Sequence, residues 1–317
     1  MQGVGRAPRM FLVGYYGFGN AGDELILRAA LADLRAAAPG LEVTVLSHDP
    51  ASTETDHGVT AVPRHRPDRV LAAVREADRV LVGGGGLLQD ATGAGTVPYY
   101  AGLAWTGRVL GRGSAGYALG VGPLRRRASR WWIRMGFAGA PLSVRDEGSA
   151  EWIVSCGIAR EQITVTADPV WGLEMGDQEV APTHDNVRSG IPVPRRIGIA
   201  LRPWPGWEDA AERIAEGCRR AFDAELVAIP FHPALDRSIA ERVARAHPRG
   251  QVADWASLDD LVRAVAGCDL IVTMRYHAGV LAARLGIPFM ALSPDGAEGK
   301  VGQVARVVGE PVRGLDE

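Results

Sequence analysis

The chain has 317 residues, a formal net charge of −2, and 47% hydrophobic against 23% charged residues. That is enough for about two domains with real cores. The near-neutral, ordinary composition excludes disorder and a bulk affinity for nucleic acid or an anionic membrane. Lys300 is the sole lysine, so 34 of the 35 cations are arginine. Cys156, Cys218 and Cys268 show neither metal-ligand spacing nor a disulfide framework, which points to a reducing cytoplasm. Met1–Met10 contains no apolar stretch of signal-peptide length, and no uninterrupted apolar run approaches the roughly 18 residues of a spanning helix. The expectation is a cytoplasmic protein that at most touches the inner face of a membrane.

In chain order, Met10–Gly14 reads as a first strand. Leu27, Leu31, Leu34 and Ala38 then fall on one helix face. Glu42–Ser47 is the next strand, Val70–Ala77 a short helix, and Arg79–Val82 a strand running into four glycines. Ala115–Val121, Leu142–Arg145 and Ile163–Thr166 are further strands, with a helical stretch at Trp131–Phe137. Trp171–Arg196 is rich in Pro, Gly and charge and reads as a linker. Beyond it come strands at Ile197–Arg202, Glu225–Ile229, Asp269–Thr273 and Pro288–Leu292. They alternate with helices at Glu208–Phe222, Leu235–Ala246, Leu258–Ala266 and His277–Leu285. Ser257 with Asp260 forms a capping box, and Gly286 stops the last of these helices. The predicted fold class is α/β: two doubly wound, Rossmann-like domains (1–170 and 196–317, linker 171–195) facing a cleft.

In such sheets ligands sit beyond the carboxyl ends of strands, and four ends carry suggestive residues. After the first strand comes Gly14-Tyr-Tyr-Gly17-Phe-Gly19-Asn20-Ala-Gly22-Asp23-Glu24. Its glycine spacing differs from the dinucleotide fingerprint, and Asn20 with Asp23 suits either a helix cap or a ligand. Gly83-Gly84-Gly85-Gly86-Leu-Leu-Gln89-Asp90 suits either a ligand approaching the sheet end or a plain turn. Arg145-Asp146 and Asp168-Pro169 suit either an anion or a salt bridge. Arg275-Tyr-His277 lies where a strand gives way to a helix, whose N-terminus favours an anion and a neutral imidazole. Arg202 occupies the matching end of a neighbouring strand, and with Arg275 and Lys300 it is placed to gather around a phosphate and a carboxylate. His48, His57, His65, His184, His232 and His247 show no metal spacing, so no metal is expected. Arg125, Arg126, Arg127, Arg130 and Arg134 flank Trp131 and Trp132. Such a helix suits anionic lipid, a lipid-pyrophosphate acceptor, or plain solvation of a helix with an apolar inner face.

These motifs occur in the order found in polysaccharide pyruvyltransferases, and the chain resembles that family from Phe11 to Val307, nearest to its bacterial cell-wall (CsaB) branch. The resemblance implies a fold like that of GT-B glycosyltransferases. It implies phosphoenolpyruvate as co-substrate with no further cofactor, and a 4,6-pyruvate ketal on a hexose or N-acetylhexosamine as product. The acceptor would be a lipid-linked secondary cell-wall polysaccharide precursor, and the finished glycan would retain S-layer proteins. In this reading His277 is the acid/base, and Arg275, Arg202, Lys300 and Arg145 hold the donor. Asn20, Asp23, Gln89 and Asp90 line the acceptor side, with Gly17, Gly19, Gly84 and Gly85 shaping the loops. The alternatives are a nucleotide-sugar glycosyltransferase of the same architecture and a glycan- or nucleotide-binding module without activity. No oligomeric state follows from the sequence.

Overall fold

The computed structural model describes residues 6–91, 93–174, 187–188, 191–294 and 300–314. The chain divides into two compact units, Met1–Phe18 with Asp23–Leu173, and Gly19–Gly22 with Glu174–Glu317.

The first unit contains β1 (Arg9–Tyr16), α1 (Ala21–Ala37), β2 (Glu42–Ser47), α2 (Pro50–His57), β3 (Thr60–Pro63), α3 (Pro67–Glu76) and β4 (Arg79–Val82). It continues with β5 (Gly85–Leu88), α4 (Thr96–Val109), β6 (Gly113–Val121), α5 (Arg127–Phe137), β7 (Leu142–Val144), α6 (Glu147–Ser155) and β8 (Ile163–Val165). All pairings in its sheet are parallel, in the order β3-β2-β1-β4-β6-β7-β8, with β5 also paired to β6. Phe11, Val13, Val80, Val82, Leu119 and Val144 form the strand side of a fully buried core, as expected of strands covered on both faces.

A short antiparallel pair, β9 (Val187–Arg188) and β10 (Ile191–Pro192), falls in the stretch read as linker, most of which lies outside the described residues, His184 included. The second sheet is built from β11 (Arg196–Ala200), α7 (Ala210–Ala221), β12 (Glu225–Ala228), α8 (Pro233–Arg245), β13 (Gly250–Val252) and α9 (Leu258–Ala266). It ends with β14 (Leu270–Thr273), α10 (Tyr276–Arg284), β15 (Phe289–Leu292), α11 (Lys300–Val308) and β16 (Val312–Arg313). Its order is β13-β12-β11-β14-β15-β16, again wholly parallel. Counted within the unit this is 3-2-1-4-5-6, the Rossmann order. Ser257 and Asp260 form the anticipated capping box on α9, and Gly286 follows α10 in the left-handed region at φ +69°.

Helices α2, α4 and α11 and strand β5 are missing from the sequence reading, α4 being the longest. The helical period of α4 is obscured by Pro98, Gly102 and Gly107. The packing explains the small residues. A Cβ on Gly107 would lie 2.7 Å from the Val80 side chain, and one on Gly136 of α5 would lie 2.6 Å from the Ala101 carbonyl. Short edge strands β3, β13 and β16 also escaped the pattern, being too brief to show alternation. Helix α8 opens at Pro233, ahead of the expected Leu235, because proline suits a first helical position.

Candidate active site

In each sheet the strand order reverses direction once, between β1 and β4 in the first unit and between β11 and β14 in the second. These are the switch points where parallel sheets bind ligands. The residues singled out from the sequence flank both.

In the second unit Ala200 and Thr273 are register partners on β11 and β14. Arg202 and Arg275 therefore each lie two residues past one matched pair, on strands roughly 4.8 Å apart. Met274 N–H donates to Ala200 O at 2.9 Å, and Arg275 N–H donates to the Thr273 hydroxyl at 2.8 Å, which fixes the turn out of β14. Arg275 then takes the N-cap position of α10, with His277 in its first turn. The Arg202 guanidinium lies over the Trp204 ring, 4.4 Å from its centroid. Tyr276 stands edge-on to His277, with centroids 5.0 Å apart. The tetrapeptide Gly19–Gly22 belongs to this unit. Ala21 N–H donates to Phe231 O at 2.8 Å, and a Cβ on Gly22 would lie 2.1 Å from His277 Nδ1. Gly22 is thus glycine because the imidazole packs on its α-carbon. Asn20, expected on the acceptor side with the first domain, sits in this segment, where its side-chain oxygen accepts from Gly22 N–H at 3.3 Å. Lys300 opens α11 and is exposed; the preceding 295–299 lie outside the described residues.

Two residues that the sequence reading did not assign to a site complete this cluster. Asp236 is fully buried. One of its oxygens pairs with the Arg275 guanidinium, and the other accepts from His232 N–H at 2.9 Å. His232 is 7% exposed, and its Nδ1 has no hydrogen-bond partner among the described residues. Burial, and then the nearby Arg275 charge, hold its imidazole below the ordinary histidine value. The signal available in the sequence was the Pro230-Phe-His232-Pro segment beyond β12, with Asp236 four residues after the histidine.

In the first unit Gly17 adopts φ +76°, a region costly for other residues. Its N–H donates to Glu24 Oε1 at 2.8 Å, and Glu24 Oε2 lies 3.3 Å from His57 Nε2. Phe18 stacks between Tyr15 and His48, at centroid distances of 3.9 and 4.3 Å, and Arg64 lies over Phe18 and Tyr99. The four-glycine run is occupied largely by the protein itself. A Cβ on Gly83 would lie 2.2 Å from the Tyr16 hydroxyl, and one on Gly84 would lie 3.0 Å from Ile26. Gly85, at φ +94°, runs past the Asp23 carboxylate. Gln89 turns back to accept from Ala91 N–H at 2.9 Å.

Asp90 differs from the expectation of an acceptor contact. It is buried and accepts from Arg125 N–H, Arg126 N–H and the Ser129 hydroxyl, each at 2.8 Å, so its oxygens anchor the start of α5. Burial opposes its ionisation, but those three donors outweigh it and hold the carboxyl below the ordinary aspartate value. Arg145, with its side chain 7% exposed, lies 3.3 Å from Asp146 and 3.7 Å from the fully buried Asp168 carboxylate. The salt-bridge alternative therefore holds for it. Among the described residues no three His, Cys, Asp or Glu side chains gather to hold a metal ion.

Residues 20–296 match the polysaccharide pyruvyl transferase family, a span that runs from the Asn20 loop through both sheets. The chain belongs to that family. It is a pyruvyltransferase with a GT-B-like fold, and solved structures of low identity share that fold. A UDP-GlcNAc 2-epimerase from Methanocaldococcus jannaschii is 12% identical, with TM-score 0.62 over 97% of this chain and 89% of that one. The Neisseria meningitidis UDP-GlcNAc 2-epimerase bound to UDP-GlcNAc is 12% identical, with TM-score 0.58 over 96% and 87%. A glycosyltransferase from Rickettsia africae is 8% identical, with TM-score 0.56 over 96% and 88%. No curated protein matches the chain. For a pyruvyltransferase, the feature to explain is the cationic and imidazole cluster at the β11/β14 switch point.

Proposed function

We propose that this pyruvyltransferase moves the enolpyruvyl group of phosphoenolpyruvate onto a hexosamine and closes a 4,6-ketal. The acceptor in this reading is a lipid-linked secondary cell-wall polysaccharide precursor of the CsaB type, which serves S-layer retention. The observation that carries the reading is the conjunction of Arg202, Arg275 and His277 at one switch point, with the Gly22 α-carbon against the imidazole. A donor bearing both phosphate and carboxylate calls for several cations, and guanidinium groups match both anions in shape.

Protonation of the donor's methylene carbon makes it a methyl group and builds positive charge on the adjacent carbon. One sugar hydroxyl attacks there and gives up its proton. The bond from that carbon to the phosphate oxygen breaks, and phosphate departs. The second hydroxyl then closes the ring and releases its own proton. Of the two protons lost by the sugar, one balances the methyl group and one leaves with phosphate. His277 is the acid/base candidate, worth about 100- to 10,000-fold in rate. Arg275, Arg202 and Lys300 are assigned to the donor's charges, whereas Arg145 is held within the first unit by Asp146 and Asp168. Asn20, Asp23 and Gln89 are assigned to the acceptor, and Asp90 acts on it only through the loop it holds.

Incubating the chain with phosphoenolpyruvate or a UDP-sugar and a defined disaccharide acceptor tests this. Phosphate release, with a product heavier by one pyruvate less one water, supports the reading. UDP release would instead establish the glycosyltransferase alternative.

A further inference from the structure

The α4–α5 face of the first unit carries charge of one sign. Between Ala91 and Arg145 the sequence holds eight arginines and no aspartate or glutamate, in a chain whose overall charge is −2. Arg108, Arg125, Arg126, Arg127, Arg130 and Arg134 are exposed. Among the described residues none of these six pairs with a carboxylate, whereas exposed arginines elsewhere, such as Arg66, Arg160 and Arg249, do.

The two helices run antiparallel, with Gly136 against the Ala101 carbonyl and Trp132 against Gly102 and edge-on to Trp105. Their inner side is spent on the core, where Ile133 and Phe137 are wholly buried. The outer side still exposes apolar groups. Trp131 is 51% exposed, and Val109, at the end of α4, is 65% exposed. Trp131 stands edge-on to Trp132, with centroids 4.9 Å apart, and Arg130 lies over the Trp152 ring. Packing thus accounts for part of these side chains, and the half of Trp131 left exposed among cations without carboxylate partners is what remains to be explained.

We propose that this face docks on an anionic bilayer surface, with the arginines against lipid headgroups and Trp131 and Val109 at the headgroup–acyl boundary. Tryptophan suits that boundary because one end of its ring is apolar and the other polar. Each basic side chain near an anionic leaflet strengthens binding by about fivefold. A weak apolar contact and several cations together suffice where either alone is marginal. A second copy of the chain is disfavoured as occupant, because a twofold interface would set these arginines against one another. No helix among the described residues is long and apolar enough to cross a membrane, so the contact is peripheral. The proposal does not depend on the identity of the acceptor or donor.

The test is co-sedimentation of the purified full chain with phosphatidylcholine vesicles, with and without phosphatidylglycerol. Binding is expected only to the anionic vesicles and is expected to weaken with added salt. The variant Arg126→Gln/Arg127→Gln/Arg134→Gln should bind about 100-fold more weakly, and Trp131→Ser several-fold more weakly, both with unchanged circular dichroism and thermal midpoint. Pyruvyl transfer to a water-soluble acceptor should persist in both variants. Equal binding to uncharged vesicles, no binding to either, or full binding by the triple variant would overturn the proposal. So would a concentration-dependent dimer, or a nucleic-acid complex, that the triple variant abolishes while vesicle binding stays absent.

Discussion

Arg275 and Asp236 form an ion pair in which one Asp236 oxygen takes the guanidinium and the other takes the backbone N–H of His232. Asp236 is fully buried, and the Arg275 side chain is 16% exposed. The carboxylate thus fixes both the arginine that begins α10 and the segment that carries His232. A buried pair of this kind has a large cost of disruption because the surviving charge is left uncompensated.

Asp236→Asn should therefore lower stability by about 3–5 kcal/mol. In the surviving folded protein the KM for phosphoenolpyruvate should rise more than kcat falls, because Arg275 loses its orientation. Thermal unfolding and steady-state kinetics check this. A thermal midpoint like that of the parent would show that the pair contributes little.

His277→Ala should lose about 100- to 10,000-fold in kcat while circular dichroism and unfolding stay near the parent's. Gly22→Ala is a sharper probe. In the first turn of α1 alanine is intrinsically the better helix former by roughly 1 kcal/mol, yet its methyl would displace the His277 imidazole. Activity should fall despite the improved propensity. Full activity in Gly22→Ala would mean that the position of the imidazole is unimportant.

Acidification should destabilise the protein through His232. Burial holds its folded-state value below 6.5, so the unfolded chain binds the proton first. The stabilisation is complete above about pH 7. It falls away as the pH drops from the unfolded value towards the lower folded one, by at most about 1.4 kcal/mol per pH unit. His247 acts in the same direction, its burial again being the chief cause. Denaturant unfolding from pH 8 to pH 5 should show the decline, and His232→Asn should flatten part of it.

Asp90→Ala removes three hydrogen bonds to a carboxylate at the start of α5 and should cost about 2–3 kcal/mol. Asp90→Asn should recover part of that loss. Because the oxygens serve two backbone N–H groups and the Ser129 hydroxyl, transfer by the asparagine variant should exceed that of His277→Ala. A greater loss in Asp90→Asn would restore the direct acceptor contact anticipated from the sequence.

All three thiols should be slow to react. Burial pushes Cys156 and Cys218 up to about 11 and Cys268 to about 12. The thiolate is the reactive form. Iodoacetamide near pH 8 should leave the native chain largely unmodified and alkylate all three after denaturation, as mass spectrometry would show.

The central strands were legible in the chain because they are short apolar runs, and β4, β6, β7, β11 and β14 give way to glycine or arginine within two residues. Burial on both faces leaves an apolar run in any sequence. The strand ends carrying Asn20, Arg145, Arg202 and His277 were visible for the same reason. By itself the sequence also determined the α9 capping box, since Ser257 and Asp260 are three residues apart and need no distant partner. Only the tertiary structure decided what the polar groups at those ends do. Asp90 looked like a ligand contact and proved to be a helix anchor, because its partners lie 35 to 39 residues away. Arg275 and Asp236 are 39 residues apart and meet only because β12 and β14 flank the same central strand. Periodicity reports which side of an element is buried, whereas the pairing of charges depends on which elements the sheet order makes neighbours.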